Sequence, residues 1–368
     1  LRRILETGTH LPALEKIGLH AILALSETGK LPAGTSQPTR FALGVLRETS
    51  ASKDTTTGHW ELAGAPLERP FPVFEQFPSE WLSALEQETG VHFLGNFAAS
   101  GTEILEQLGE EHLATGHPIL YTSADSVLQI AAHEDIWPVE RLYEICRIAR
   151  RHADALGIAR VIARPFVGKP GAFQRTPRRH DFSLRPPYTL LNALCNAGIP
   201  VTGIGKIADI FAHSGITDSF STESNAHGME TIDRLWDDQR SGLLFANLVD
   251  FDTLFGHRRD VAGYARALAE FDAWLTSFLP RVADDDLVLI TADHGNDPAW
   301  RGTDHTREQV PLWVLGAVPM RQPGLRRTFA DVAASLAQRL LNTTWPVGKS
   351  FLEASGSKPS QKKSAPAP

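Results

Sequence analysis

Apolar runs of strand length alternate along the chain with longer stretches in which apolar residues recur every three or four positions. The short runs predict strands at Phe41–Leu46, Ile119–Thr122, Arg160–Pro165, Pro200–Ile204, Leu243–Val249, Leu287–Thr291 and Pro311–Leu315. The longer stretches predict helices at Val139–Leu156, Tyr188–Ala197, Asp260–Phe278 and Thr328–Leu341. Strand alternating with helix predicts an α/β protein with a largely parallel sheet, in which reactive residues collect beyond the carboxyl ends of the strands.

Two segments dense in Pro and Gly punctuate this pattern, Ala63 to Pro78 and Pro165 to Pro187, the second also holding Arg175, Arg178, Arg179 and Arg185. Both read as exposed connections with an inserted domain between them. From Ser355 onward the chain is mostly Ser, Lys, Pro and Ala, so residues 355–368 are expected to be a disordered, non-catalytic tail.

Composition narrows the class. The chain has 368 residues, 42% hydrophobic and 21% charged, which excludes a disordered protein and suits two domains. A net charge of −7 argues against a general nucleic-acid binder. Cys146 and Cys195 each lie in a helix-like apolar stretch, as inert thiols in a reducing cytoplasm would. No apolar run approaches the roughly 18 residues that span a bilayer, and none resembles a signal peptide, so a soluble cytoplasmic protein is expected. The methionines are Met229 and Met320, and a chain opening at Leu1 leaves a processed or truncated amino terminus open.

The strongest chemical signal is Leu287-Val-Leu-Ile-Thr-Ala-Asp293-His294-Gly295-Asn296-Asp297. An apolar strand running straight into Asp293 and His294 places two metal-type ligands where the sheet ends and the backbone turns at Gly295. Shortly after comes Gly302-Thr303-Asp304-His305-Thr306-Arg307, whose loop can return a third ligand. A second strand ends in Asn247-Leu-Val-Asp250-Phe-Asp252-Thr-Leu-Phe-Gly256-His257, where Gly256 permits a turn that faces His257 toward Asp252. Asp252, His257, Asp293, His294 and His305 together suit a pair of divalent ions such as Mn or Zn rather than Mg alone. Taken singly, an Asp-His pair is more often a turn or a cap. Asp250 is open to two readings, a metal ligand or, the one preferred, an acceptor orienting His257, and Asp297 and Asp304 are read as turn formers.

A third signal is Ser52-Lys53-Asp54-Thr55-Thr56-Thr57-Gly58-His59-Trp60-Glu61. A Thr run of this kind opens a helix and brings a hydroxyl to its positive end, where backbone N–H groups hold phosphate; an ordinary helix cap is the plainer reading. Metal coordination would convert a threonine hydroxyl into a competent nucleophile, so the Thr run and the Asp/His cluster explain each other.

These strings, with Tyr121-Thr-Ser-Ala-Asp125-Ser-Val-Leu-Gln-Ile-Ala-Ala-His-Glu134 and Arg160-Val-Ile-Ala-Arg-Pro-Phe-Val-Gly168, resemble the bacterial phosphopentomutases of the alkaline phosphatase superfamily, from about Leu11 to Leu352. The resemblance implies an alkaline phosphatase-like core of residues 1–67 and 188–354 interrupted by a cap of residues 68–187. It implies interconversion of ribose 1-phosphate and ribose 5-phosphate, and of the deoxyribose pair, with two Mn ions and a sugar bisphosphate as primer. Thr55 would be the phosphorylated nucleophile, Asp293 and His294 would share one metal with it, and Asp252, His257 and His305 would hold the other. Asp125 would meet the sugar hydroxyls, Arg160 and Arg175 the distal phosphate or the ribose, and Lys206 would add positive charge from the core side.

Members of that family open with an apolar strand ending in Asp, a further ligand of the Thr-side metal. Leu1–Leu25 shows helix-like spacing with Glu6 and Glu15 as its acids, and Glu27 and Glu48 follow apolar runs of a different character. The Thr-side site is therefore expected to bind metal weakly and this chain to be impaired, its sheet lacking a central strand. A phosphatase or another mutase of the superfamily, or an inactive fragment that only binds ligand, are the alternatives.

Overall fold

The computed structural model describes residues 1–33, 41–123, 125–238, 241–302, 304–316 and 322–353. The proposed tail at 355–368 lies outside them. The strands are β1 (Phe41–Arg47), β2 (Leu94–Ala98), β3 (Ile119–Thr122), β4 (Val127–His133), β5 (Arg160–Val167), β6 (Gln174–Arg175), β7 (His180–Ser183), β8 (Val201–Ile204), β9 (Asp218–Phe220), β10 (Leu243–Ala246), β11 (Val288–Ile290), β12 (Gln309–Leu315) and β13 (Gly324–Arg326). They fall into two compact units. One comprises Leu1–Leu67, Tyr188–Ile207 and the described residues from Gly215 onward; the other comprises Glu68–Pro187 with Ala208–Ser214.

The first unit holds two sheets, ordered β11-β12-β1-β13 and β10-β8-β9. Among the described residues three of its ladders are parallel, and the two antiparallel ones both belong to β12. The reason is local. The chain leaves the carboxyl end of β11, makes the loop that carries Asp293, His294 and His305, and re-enters beside β11 in the opposite direction. Both ends of that loop therefore sit at one edge.

Alternation along β1 decides what covers each face. Leu43 and Val45 join Trp313 and Leu315 of β12 in a core closed by the amino-terminal helices and the helix Val261–Phe278. Ala42 and Leu46 join Val310, Leu312 and Val314 against Leu62, Phe329 and Val332 on the other face. The helix-like spacing of Leu1–Leu25 resolves into three helices, Arg2–Leu5, Pro12–Lys16 and Leu19–Thr28. Asp272, 2% exposed, anchors the second by accepting from Ala13 N at 3.0 Å and Leu14 N at 2.8 Å. By contrast β10 and β11, the outermost strands of their sheets, are half-buried along their whole lengths.

The second unit is a sheet ordered β2-β3-β4-β5-β6, with β7 also pairing β5. The helix Val139–Leu156 packs Leu142, Ile145, Cys146 and Ala149 against Leu128, Ile130, Val161 and Ala163 on one face. Ile104 and Leu105 of the helix Glu103–Thr115 pack against Ile119, Tyr121, Ala131 and Phe166 on the other. No described helix in either unit is long and apolar enough to cross a membrane.

Candidate metal centre and nucleophile

Thr55 opens the helix Thr55–Leu62, and the residue before it explains why. Asp54 takes an extended backbone and its side chain accepts from Thr57 N at 3.1 Å, while Thr57 Oγ1 accepts from Asp54 N at 3.2 Å. This reciprocal cap commits Thr57 to the helix end. Thr55 remains half-buried, with Oγ1 3.3 Å from Nε2 of His294. Gly58 makes that approach possible: a Cβ there would stand 1.8 Å from the carbonyl oxygen of Asp293. Glu61, fully buried, pins the far end of the helix by accepting from Thr49 N, Ser50 N, Phe329 N and the hydroxyls of Thr49, Ser50 and Thr328. Burial pushes the Glu61 carboxyl up, but these donors outweigh it and leave it below the usual range.

Asp252, His257 and His305 meet beyond the carboxyl end of β10. Asp252 lies in the single-turn π-helix Phe251–Gly256, a departure from α geometry often found at functional sites. Its carboxylate is 3.3 Å from His257 Nε2 and 3.2 Å from His305 Nε2, and the two imidazole nitrogens are 3.1 Å apart. Ligands on about 2.1 Å bonds in a tetrahedral site would be roughly 3.4 Å from one another, so this triad fits a divalent ion with little adjustment. His305 Nδ1 lies 3.0 Å from Lys53 O; donating there fixes the tautomer that leaves Nε2 free for metal. Burial pushes the Asp252 carboxyl up, yet the His305 bond and charge leave it below its ordinary range; His305, which burial alone would lower, is correspondingly raised.

Asp293 and His294 lie just past β11. Asp293 Oδ2 is 3.4 Å from His294 Nε2 and 3.1 Å from Nδ1 of His59, which is buried one turn after Thr55. Burial raises the Asp293 carboxyl, but the charges of His59 and His294 hold it well below the usual carboxylate range. The His294 and His305 rings stack with centroids 3.8 Å apart, so the two ligand groups adjoin. The five Asp and His residues singled out from sequence thus converge with Thr55.

Several residues here carry no sequence signal of their own. Arg259 takes φ +55°, uncommon outside glycine, and makes the turn expected at Gly256. Gly256 instead supplies space, since a Cβ there would stand 2.3 Å from Asn296 Nδ2. The Arg259 guanidinium donates to Gly256 O at 3.1 Å, Asn296 Oδ1 at 2.8 Å, Asp297 O at 2.9 Å, Asp304 O at 2.7 Å and the carbonyl of Gly302, tying the loop after β10 to both ends of the loop after β11. Lys53 adds a strap from the Thr loop, donating to His305 O at 2.6 Å and pairing with Asp304 at 2.7 Å. The Asp250 carboxylate accepts from Asn225 N at 2.7 Å, at the start of the helix Asn225–Asp238. Asp297 does form a turn, accepting from Ala299 N at 2.9 Å, and also pairs with Arg3. Glu48 is buried after β1, 3.5 Å from both Thr57 Oγ1 and Arg307; chiefly by burial its carboxyl is raised to about 7.

The remaining residues singled out are distributed over both units. Lys206 is exposed just after β8, its N–H bonded to Asn247 at 2.9 Å. Asp125 is exposed in the turn before β4, Arg160 begins β5 with Nη1 3.7 Å from Asp181, and Arg175 lies on β6.

Residues 16–343 match the Metalloenzyme superfamily. The chain is 50% identical over 356 residues to the phosphopentomutase of Caldanaerobacter subterraneus subsp. tengcongensis, covering 94% of this chain and 88% of that protein. It is 49% identical over 352 residues to the phosphopentomutase of Dictyoglomus turgidum, with the same coverage. Among solved structures, the PH0037 protein of Pyrococcus horikoshii matches at 13% identity and a TM-score of 0.46, over 93% of this chain and 94% of that one. The chain belongs to the phosphopentomutase family of the metalloenzyme superfamily.

Proposed function

We propose that this chain interconverts ribose 1-phosphate and ribose 5-phosphate, and the 2-deoxyribose pair, through a phosphothreonine at Thr55 and a sugar bisphosphate. The observation that carries this reading is the Thr55 hydroxyl, at the start of its helix and 3.3 Å from His294, beside an Asp/His cluster fit for metal. The phosphopentomutase name of both relatives supports the same substrate class.

Manganese suits the mixed carboxylate and imidazole ligands, with Asp293 and His294 on the Thr55 side and Asp252, His257 and His305 on the other. Bound there, divalent metal supplies Lewis-acid stabilisation of charge on the hydroxyl and phosphoryl oxygens. Thr55 Oγ1 carries the phosphoryl group and yields it to the free hydroxyl of a sugar monophosphate, whose proton is released. The resulting bisphosphate returns its other phosphoryl group to Thr55 and the sugar oxygen that loses it takes up a proton, so one P–O bond forms and one breaks in each half, and the enzyme ends phosphorylated. The first internal bond of the helix is Gly58 N to Asp54 O, which leaves the N–H groups of Thr55 and Thr56 ahead of it to favour the phosphoryl charge.

Asp125 holds the sugar hydroxyls in this reading, Arg160 and Arg175 the phosphate or ribose, and Lys206 adds positive charge. Residues 68–187 serve as the cap, and a sugar bisphosphate primes the enzyme. Both cysteines are free, which suits the cytoplasm. The test supplies the manganese-loaded chain with ribose 1-phosphate and follows ribose 5-phosphate and inorganic phosphate together. Isomer without phosphate release supports the mutase, whereas phosphate release without isomer assigns the chain to the phosphatases.

A further inference from the structure

The string Thr55-Thr-Thr-Gly-His59 sets an imidazole one helical turn after the nucleophile, so both side chains leave the helix Thr55–Leu62 on the same face. The His59 ring is 3% exposed and its centroid lies 5.7 Å from that of Phe245 on β10. Its Nδ1 is 2.8 Å from Thr55 O and 3.1 Å from Asp293 Oδ2. A carbonyl and an ionised carboxylate only accept, so Nδ1 carries a proton facing both. Asp293 Oδ2 is also the oxygen 3.4 Å from His294 Nε2. One buried N–H therefore stands between the backbone of the nucleophile and the ligand pair beside it.

Gly58 and His59 divide the work at this gap. Gly58 lets the helix close onto the carbonyl of Asp293, where a Cβ would stand 1.8 Å away. That contact sets how near the two segments come, but it gives the Asp293 carboxylate no direction, and the group could still turn about its Cβ–Cγ bond. A proton donor at 3.1 Å from Oδ2 removes that freedom. Packing alone does not call for a histidine here. An apolar side chain would fill the space beside Phe245 without the cost of burying an imidazole, and it would leave Asp293 without this donor.

We propose that His59 is a positioning residue for phosphoryl transfer, whose Nδ1–H holds the Asp293 carboxylate in register with the first turn of the Thr55 helix. This rests on the reading of Thr55 as the phosphorylated nucleophile beside a metal held by Asp293 and His294. His59 touches neither sugar nor phosphate in that reading. It acts through Asp293, and so it governs metal affinity on the Thr55 side and, through that metal, how readily Thr55 takes up a phosphoryl group. The Asp252, His257 and His305 triad does not depend on it.

The test compares H59N, H59Q and H59L with the native sequence. Asparagine places an amide nitrogen where Nδ1 stands, glutamine carries it one bond farther, and leucine has no donor. Volume and helix propensity rank glutamine above asparagine, whereas positioning ranks them the other way. Manganese titration by electron paramagnetic resonance should show the class of ion that D293N removes weakened about 10- to 100-fold in H59Q and H59L, and by less than about threefold in H59N. The other class should be equal in all four chains. Phosphothreonine formed at Thr55 on brief exposure to a sugar bisphosphate, mapped by mass spectrometry, should follow the same order. If H59Q unfolds early in urea, H59L takes its place in the comparison with H59N. Asparagine weakened as much as glutamine or leucine, or all three variants matching the native chain, overturns the proposal. If the native chain takes no phosphate at Thr55, the nucleophile reading fails, and the manganese titrations still decide the part of His59. Phosphate on Thr55 to the same extent in the native chain and in H59Q leaves that reading standing and overturns the proposal.

Discussion

Asn296 Nδ2 donates to Asp252 Oδ1 at 2.5 Å, while its own carbonyl accepts from Arg259 Nη1 at 2.8 Å. One amide thereby joins the loop after β11 to the loop after β10, and Arg259 locks the amide's orientation. This holds the Asp252 carboxylate with Oδ1 beside His305 Nε2 and Oδ2 beside His257 Nε2 before any metal arrives. Metal-site partners of this kind commonly contribute about 10- to 100-fold to affinity. Arg259→Ala should therefore weaken manganese binding by that order while Thr55 stays in place. Manganese titration by electron paramagnetic resonance measures it.

Gly58 separates the Thr helix from Asp293 by backbone alone. With a Cβ only 1.8 Å from the Asp293 carbonyl, Gly58→Ala must displace either the helix or the ligand loop. Overpacking of this sort costs about 1–3 kcal/mol. Urea unfolding should show that loss, and manganese titration should show the Thr55-side site weakened with the Asp252 site less affected.

The two ligand groups are unequal. Asp252, His257 and His305 form a complete triad within coordinating distance, whereas Asp293 and His294 offer two such ligands beside the Thr55 hydroxyl. Manganese should bind this chain in two classes. His257→Ala should remove the tighter class and Asp293→Asn the weaker. Two equal sites would contradict the account.

Glu48 predicts a pH effect on stability that is separate from metal. Its carboxyl is raised to about 7 in the folded chain, mainly by burial, so the folded state holds a proton that the unfolded state releases near pH 4.5. Stability from this group is complete below the unfolded value and declines as pH rises through about 7. The full loss is about 3 kcal/mol. Glu48→Gln should flatten the decline between pH 5 and pH 8 in urea unfolding, and an unchanged slope would contradict this assignment.

The sequence was most legible where chemistry follows strong periodicity. Val139–Leu156 appears as predicted because its apolar stripe keeps a consistent spacing along an eighteen-residue helix. The ligands after β10 and β11 are visible because each follows an apolar run. β4 was hidden, since a strand buried on both faces lacks alternation and carries Gln129 and His133 inside it. β6, β7, β9 and β13 are short, and neighbouring strands rather than their own composition define them. Arg259, Asn296 and Glu61 were illegible for another reason. Their parts are played through partners far away in sequence, and an arginine in a basic loop looks like any solvated residue until those carbonyls surround it.

Phosphothreonine at Thr55 is the central claim, and its direct test is mass spectrometric mapping of the manganese-loaded chain after brief exposure to ribose 1-phosphate, or to a sugar bisphosphate as primer. One phosphoryl group on the peptide containing Thr55, assigned to that residue and absent from Thr55→Ala together with isomerisation, is the predicted result. Isomerisation that persists in Thr55→Ala, or phosphate mapped to Thr56 or Thr57 instead, would contradict it.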